Sequence, residues 1–298
     1  MTDHIVGFVG LGNMGRPMAS LLIGAGQTLL AYDAAPAARS AATEAGIEVA
    51  ETLREVATAV DTLILMVPSS DVVEVIVDEV LQTEGRRVAT VVDMSSSVPD
   101  RTVAVGSRCA DNGIRLVDAP VSGGVVRAVS GELTIMVGGA DEDVARVSDL
   151  LDVLGTQVIH VGGVGAGHAA KALNNLLSAS HLLATNEAAL AAQAFGIDPA
   201  VFLNVVNSSS GRSGSSELKL PRYVLTGRFD SGFSAALLEK DLKIALGVEH
   251  SLNIPAPVSE AVGEQWSALR ARLEDGADHT EIIRPIEQDL GRDLRSGD

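Results

Sequence analysis

Near the start of the chain, Gly10, Leu11, Gly12, Asn13, Met14 and Gly15 spell GxGxxG directly after the apolar run IVGFV and directly before RPMASLLIG. Glycines at that spacing, between a strand and a helix, suit the holding of a pyrophosphate against bare backbone. Gly10 permits a tight turn, Gly12 lets the backbone approach the phosphates, and Gly15 lets helix and strand pack closely. The helix N-terminus then offers free N–H groups, and Pro17 is tolerated in a first helical turn. The next strand ends at Asp33, eighteen positions beyond Gly15, where a dinucleotide fold places the acid that bonds the ribose 2′-OH. Asp33 would repel a 2′-phosphate, and the next basic residue is Arg39, so the pattern favours NAD, with NADP as the alternative. A plain glycine turn with Asp33 as a strand-end cap is the bland reading.

A second stretch, AGHAAKALNNLLSAS from Ala166 to Ser180, is rich in Ala and Leu yet carries a lysine, two adjacent asparagines and serines. Residues three and four apart share a helix face, so Lys171, Asn174, Asn175 and Ser178 form a polar stripe on an otherwise apolar rod. A surface helix normally shows the reverse proportion. The stripe either lines a cleft or is a narrow solvated face.

The elements that must carry these residues follow from pattern and composition. The chain has 298 residues, 46% of them hydrophobic, enough for two domains and a large core. Short β-branched runs at 5–10, 29–33, 62–68, 88–95, 115–121 and 132–139 alternate with helical stretches at 15–24, 37–45 and 71–82, and a last short strand is expected at 157–162. That rhythm is βαβ with a mainly parallel sheet. After Gly167 no strand-like run appears, and Ala/Leu-rich segments extend to about residue 274. An α/β Rossmann domain over 1–164 is therefore expected, then an all-helical domain over 165–298. A helix from about 168 to 195 connects them. The tail from Arg284 reads as polar and frayed at its end. A second glycine cluster, GGVGAG at 162–167, leads into an Ala-rich helix and reads as a decoy.

A net charge of −17 disfavours nucleic acid and anionic membrane surfaces as partners, while a few local cations still allow a small anionic substrate. The single cysteine, Cys109, excludes an internal disulfide and a cysteine-based zinc site, reads as a small core residue, and fits a reducing cytoplasm. Neither a secretory signal nor an apolar span of membrane length is visible. His160, His168, His181 and His279 lack ligand spacing, so no metal is expected.

Four segments in order resemble the β-hydroxyacid dehydrogenase family, which contains 3-hydroxyisobutyrate dehydrogenase and tartronate semialdehyde reductase. They are GFVGLGNMGRPMA (7–19), DAPVSGG (118–124), GAGHAAKALNN (165–175) and EKDLKIA (239–245). The resemblance implies an NAD(P)-dependent oxidoreductase that moves a hydride between the nicotinamide and the 3-hydroxyl carbon of a small 3-hydroxy acid. Lys171 would be the general acid/base, its pKa drawn toward the working pH by desolvation and neighbouring charge. Asn175 would hold substrate against it, and Asn174 would play a more structural part beside the substrate. Ser122 with the backbone N–H groups of Gly123 and Gly124 would cradle a carboxylate. Phe233 counts among the substrate residues. Met66, Val67, Pro68, Ser96 and Lys240 match family positions near the cofactor. On this reading the polar stripe faces a cleft between the two domains. A homodimer or homotetramer built through the second domain is the family habit.

The match weakens at NSSSGRSGSSELKLP (207–221). Many relatives carry a large aromatic two positions after the arginine, where this chain has Gly214, which implies a roomier pocket. Arg212 would pair with a second substrate anion or bond within its own loop. The alternatives are a reductase of tartronate semialdehyde- or glyoxylate-type substrates, larger L-threonate-like substrates, imine reduction, and a catalytically silent NAD-binding sensor. Imine-reducing relatives generally lack the lysine found at 171, and a sensor would not need Lys171, Asn175 or Lys240.

Overall fold

The computed structural model describes residues 4–295. These divide into two compact units, one ending at Lys171 and the other beginning at Ala172.

The first unit is built on an eight-stranded sheet. Its strands are β1 (Ile5–Val9), β2 (Thr28–Tyr32), β3 (Thr62–Leu65), β4 (Thr90–Asp93), β5 (Arg115–Asp118), β6 (Val121–Ser122), β7 (Leu133–Gly138) and β8 (Gly155–Gly162). The order is β2-β1-β3-β4-β5-β7-β6, with β8 paired to β7. The first five strands run parallel, β7 is antiparallel to both β5 and β6, and β8 is parallel to β7. The parallel strands read as continuous apolar runs because both faces are covered. Alternation splits their side chains into two cores. Phe8, Ile64, Val92 and Val117 face one way, with Met18 and Leu22 of helix Gly15–Gly24 and Leu151 of helix Asp141–Leu154. Val9, Leu63, Leu65, Val91 and Leu116 face the other, with Val56, Val77 and Val105 from helices Leu53–Ala59, Ser70–Gln82 and Pro99–Asp111. Cys109 belongs to the second core and is fully buried. Burial pushes its thiol up to about 11, so it is a packing residue.

The expected strands and helices are present with ends trimmed or extended by a few residues. The run 115–121 is interrupted at Ala119–Pro120, which separates β5 from the two-residue β6. The division between Lys171 and Ala172 falls inside the long helix Ala166–Phe195, whereas the sequence places its boundary just before that helix. The first helical turn belongs with the sheet because the Asp118 carboxylate accepts from the N–H groups of Gly165 and His168, at 2.7 and 2.9 Å. Gly165 and Gly167 serve this docking. A Cβ on Gly167 would lie 2.4 Å from the Met136 carbonyl oxygen, and one on Gly165 3.0 Å from a Val103 methyl, so these two glycines are needed for close packing.

The second unit is helical, with helices Pro199–Asn207, Ala235–Ser251, Pro257–Arg270 and Arg284–Leu290, a π-helical segment Ser215–Val224 and a 3-10 turn His279–Ile283. Asp198 and Ser234 cap their helices, and Asp278 with Glu281 forms a capping box at the 3-10 turn; each such cap contributes roughly 1 kcal/mol. The only tryptophan of the chain, Trp266, is fully buried and donates from Nε1 to the Ala235 carbonyl. The tail is anchored further than its polarity suggests. Leu294 is fully buried, and Glu287 Oε1 accepts from the Leu294 N–H and from Arg295. The last three residues lie outside those described.

Candidate active site

The glycine loop joins β1 to helix Gly15–Gly24, and its three glycines do three different jobs. Gly10 has φ +100°, and a Cβ there would lie 2.2 Å from the Met66 carbonyl oxygen. At Gly15 a Cβ would lie 1.8 Å from the Gly10 carbonyl oxygen. Only glycine is tolerated at either position. At Gly12 nothing lies within 4 Å of where a Cβ would stand, and the residue is exposed. The loop therefore presents bare backbone, with the exposed Asn13 and half-buried Met14 beside it, while Leu11 is buried in the core. This is the shape a dinucleotide pyrophosphate needs, and the residues present fit that group.

Asp33 is tied to the loop. Its Oδ2 accepts from the Leu11 N–H at 2.7 Å and its Oδ1 from the Ala35 N–H at 2.8 Å. Arg39 lies beside it, donating to the Asp33 carbonyl at 2.7 Å, its guanidinium 5.9 Å from the Tyr32 ring centroid. The strand end thus carries a carboxylate, with a guanidinium six residues on in the next helix.

Met66, Val67 and Pro68 leave β3 next to the glycine turn. The Met66 N–H donates to the Val9 carbonyl and the Val67 N–H to Ser95 Oγ, at 2.9 and 3.0 Å. Ser96 follows Ser95 after β4 and is half-buried. A buried network, which sequence reasoning missed, holds this region to the start of the lysine helix. His168 Nε2 lies 3.1 Å from the Ser95 carbonyl; a carbonyl only accepts, so Nε2 carries a proton. Nδ1 lies 2.9 Å from Thr102 Oγ1. The Asp93 and Asp118 carboxylates flank the ring, each 3.7 Å from one of its nitrogens, and Asp93 is itself held by the Ser95 N–H and Ser97 hydroxyl. His168 precedes Lys171 by one helical turn, so the network fixes the backbone from which the lysine projects.

In the DAPVSGG segment, Ser122 ends β6 and pairs with Thr134. Gly123 and Gly124 have φ +136° and +67°, a backbone path that side-chain-bearing residues rarely take. The path turns the chain sharply after Ser122.

In the second unit, Asn175 is buried, and its Nδ2 donates to Asp241 Oδ2 at 2.6 Å. Its Oδ1 accepts from Asn174 Nδ2 at 3.3 Å, Asn174 itself being exposed. Asp241 is also buried, and Lys240 Nζ lies 3.6 Å from its other oxygen. Sequence reasoning named Lys240 and missed Asp241; a carboxylate within an apolar helix repeat was the available signal. Lys219, also missed, donates to Ser178 Oγ at 2.6 Å, so the polar stripe continues into a second cation. Phe233 packs edge-on against His279, with centroids 5.6 Å apart, and its carbonyl accepts from the His279 N–H and Nδ1. Burial, with Lys219 nearby, lowers the His279 pKa. Burial alone would raise the Asp278 pKa, but bonds from His279, Ser231 and Thr280 hold it well below the usual carboxylate range. Arg212 is exposed, its Nη1 3.5 Å from Glu217. Gly214, at φ −58°, has nothing within 4 Å of an added Cβ. Among the described residues no group of three or more His, Cys, Asp or Glu side chains is placed to hold a metal.

A mostly parallel sheet with this glycine loop, followed by a helical unit, defines a dinucleotide-binding protein. Two family models match in succession: the NAD binding domain of 6-phosphogluconate dehydrogenase over residues 5–162, and the NAD-binding model of NADP-dependent 3-hydroxyisobutyrate dehydrogenase over 165–286. The chain is 34% identical to 2-(hydroxymethyl)glutarate dehydrogenase of Eubacterium barkeri, covering 98% of each. It is 38% identical to the mitochondrial 3-hydroxyisobutyrate dehydrogenase of Mus musculus, over 95% of this chain and 87% of that one. The Mycobacterium tuberculosis 3-hydroxyisobutyrate dehydrogenase structure with L-serine superposes with a TM-score of 0.89 at 30% identity, covering 96% of this chain and 99% of that one. The chain therefore belongs to the 3-hydroxyisobutyrate dehydrogenase-like β-hydroxyacid dehydrogenase family, whose members are NAD(P)-dependent oxidoreductases.

Proposed function

We propose that the protein oxidises a small 3-hydroxy acid of the 3-hydroxyisobutyrate type, or reduces the corresponding semialdehyde, with NAD preferred over NADP. The observation that carries this reading is the fixing of Asn175 by Asp241 at 2.6 Å, on the helix that one turn earlier carries Lys171. Bound nicotinamide supplies the hydride acceptor or donor. Lys171 Nζ takes the proton from the substrate hydroxyl in oxidation and returns it in reduction. Asn175, held by Asp241, orients the hydroxyl-bearing end of the substrate, with Asn174 next to it. Ser122, Gly123 and Gly124 take the carboxylate, and Phe233 forms part of the wall. Met66, Val67, Pro68, Ser96 and Lys240 border the cofactor. The NAD preference is supported by the Asp33 carboxylate at the end of β2, bonded to the Leu11 and Ala35 N–H groups beside the glycine loop.

A larger 3-hydroxy acid is the second reading, favoured by the open space at Gly214 and by the name of the Eubacterium barkeri relative. Self-association through the second unit is supported by exposed Phe195, Val201 and Val205, the last two one turn apart on one helix. A cytoplasmic setting is supported by the lone, buried Cys109. No helix among the described residues is long and apolar enough to cross a membrane.

The test is NAD and NADP reduction, followed by nicotinamide absorbance, against 3-hydroxyisobutyrate, D- and L-glycerate, serine, L-threonate, 3-hydroxypropionate and 2-(hydroxymethyl)glutarate. Lys171→Ala is the control. Turnover with NAD that Lys171→Ala abolishes supports the reading; equal turnover by the variant overturns the role of Lys171, and silence across the panel overturns the substrate class.

A further inference from the structure

Two different tethers hold the start of helix Ala166–Phe195 within the first unit. The first acts on the helix backbone. The Asp118 carboxylate, at the end of β5, accepts from the Gly165 and His168 N–H groups. A Cβ on Gly138 would lie 2.5 Å from one of its oxygens and a Cβ on Gly167 2.8 Å from the other, so the carboxylate is sterically confined. The second tether is the buried His168 ring. Its Nε2–H donates to the Ser95 carbonyl at 3.1 Å, and its Nδ1 lies 2.9 Å from Thr102 Oγ1 of helix Pro99–Asp111. Ser95 Oγ in turn accepts from the Val67 N–H at 3.0 Å, and the Ser95 N–H donates to Asp93 Oδ1 at 3.0 Å. A continuous chain of bonds therefore runs from the turn after β3, through the turn after β4, to the start of the lysine helix. Asp118 fixes the helix to the sheet whatever the ring does. The ring ties it instead to the turns that carry Met66, Val67, Pro68 and Ser96. Such a chain is stiff, because a buried polar group left unpaired by any break in it bears its full desolvation cost.

Resting on the dehydrogenase reading above, we infer that His168 is a positioning residue: through the Ser95 carbonyl it sets the cofactor-side turns against the backbone of Lys171, and a bound dinucleotide tightens the helix start through the same chain. The buried ring exchanges no proton with substrate. It acts on the alignment of hydride and proton transfer, where a misplacement of about 1 Å costs on the order of 100-fold.

The experiment uses two amides of different reach. Gln carries its amide nitrogen about as far from the backbone as the imidazole Nε2 and keeps a donor for the Ser95 carbonyl, whereas Asn reaches only to the Nδ1 position. Single-turnover hydride transfer, followed by nicotinamide absorbance with the hydroxy acid the wild type turns over best, separates the rate from the fraction of active molecules. His168→Asn should lower that rate about 10- to 100-fold at unchanged amplitude. His168→Gln should recover most of it, and the exposed change His250→Gln should leave it intact. Ser95→Ala, which cuts the bond to Val67 with the ring in place, should reproduce part of the loss and decides the matter where His168→Asn does not fold. Equal loss in the Gln and Asn variants, or lost amplitude at the wild-type rate, marks a residue that only packs and overturns the inference. Amide hydrogen exchange over residues 165–171 gives a readout free of turnover. Saturating NAD should slow exchange there in the wild type and His168→Gln and leave it unchanged in His168→Asn. Slowing that depends on the ring upholds the inference even where no hydroxy acid is turned over; no slowing in the wild type, or equal slowing in His168→Asn, overturns it even where one is.

Discussion

The Asn175 side-chain amide donates to the buried Asp241 carboxylate at 2.6 Å, and Lys240 Nζ lies 3.6 Å from the other oxygen of the same carboxylate. One acid thus holds both an amide expected at the substrate and a lysine expected at the cofactor. A hydrogen bond to a charged group contributes about 1.5–3 kcal/mol. Asp241→Ala is accordingly expected to lower kcat/KM about 10- to 100-fold, with losses toward hydroxy acid and cofactor alike. Steady-state kinetics on folded variant check it; a loss confined to stability, with normal kcat/KM, would show that the contact only packs the helices.

Asp33 and Arg39 make opposing contributions at the end of β2. The Asp33 carboxylate bonds the Leu11 and Ala35 N–H groups, and a 2′-phosphate brought there meets like charge, at a cost of several kcal/mol. Removing the carboxylate leaves Arg39, already bonded to the Asp33 carbonyl. Asp33→Ala should raise the NADP-to-NAD ratio of kcat/KM at least about tenfold. A ratio that stays put, or a wild type already favouring NADP, contradicts the assignment.

At Gly214 the backbone φ of −58° suits any L residue, and no atom lies within 4 Å of an added Cβ. Gly214→Trp should therefore fold normally while restoring the aromatic that the family resemblance places at the substrate pocket. Pocket contacts discriminate by about 1–3 kcal/mol per methylene-sized group, so turnover of bulky 3-hydroxy acids should fall about tenfold or more relative to 3-hydroxypropionate. An unchanged substrate profile removes the idea that the missing aromatic enlarges the pocket.

How much of this was legible in the sequence depended on the range of the interaction. The glycine loop reads directly, because Gly10 and Gly15 answer to clashes with backbone near in sequence or at the next strand. The sheet reads from continuous apolar runs, and the lysine helix from its period. Asp118 and His168 lay inside quoted motifs, yet their role was hidden. It depends on a contact between residues fifty positions apart that no local pattern encodes. Lys219 carries no signal of its own in the 207–221 stretch until folding brings it against Ser178, forty-one positions away. The antiparallel turn of the sheet at β7 was invisible for the same reason, since pairing partners do not show in strand composition.

Acid should weaken the second unit in two stages. His279 is held neutral chiefly by burial, its pKa below the usual value. Its contribution to stability is complete above about pH 6.5 and is lost as the pH falls toward the lowered folded pKa, because the unfolded chain binds the proton more readily. Asp278, held well below the usual carboxylate range by bonds that outweigh its burial, stabilises above about pH 4 and loses that contribution on further acidification. The two lie side by side and clamp the carbonyl of Phe233 and the hydroxyl of Ser231. Tm measured from pH 8 downward should fall first below about pH 6.5 and more steeply below about pH 4. Asp278→Asn should cost about 1–2 kcal/mol at neutral pH through its weakened cap and hydrogen bonds, and should flatten the second stage. If Asp278→Asn keeps the same steep loss below pH 4, the acid sensitivity resides in other carboxylates and the clamp at Phe233 is not its source.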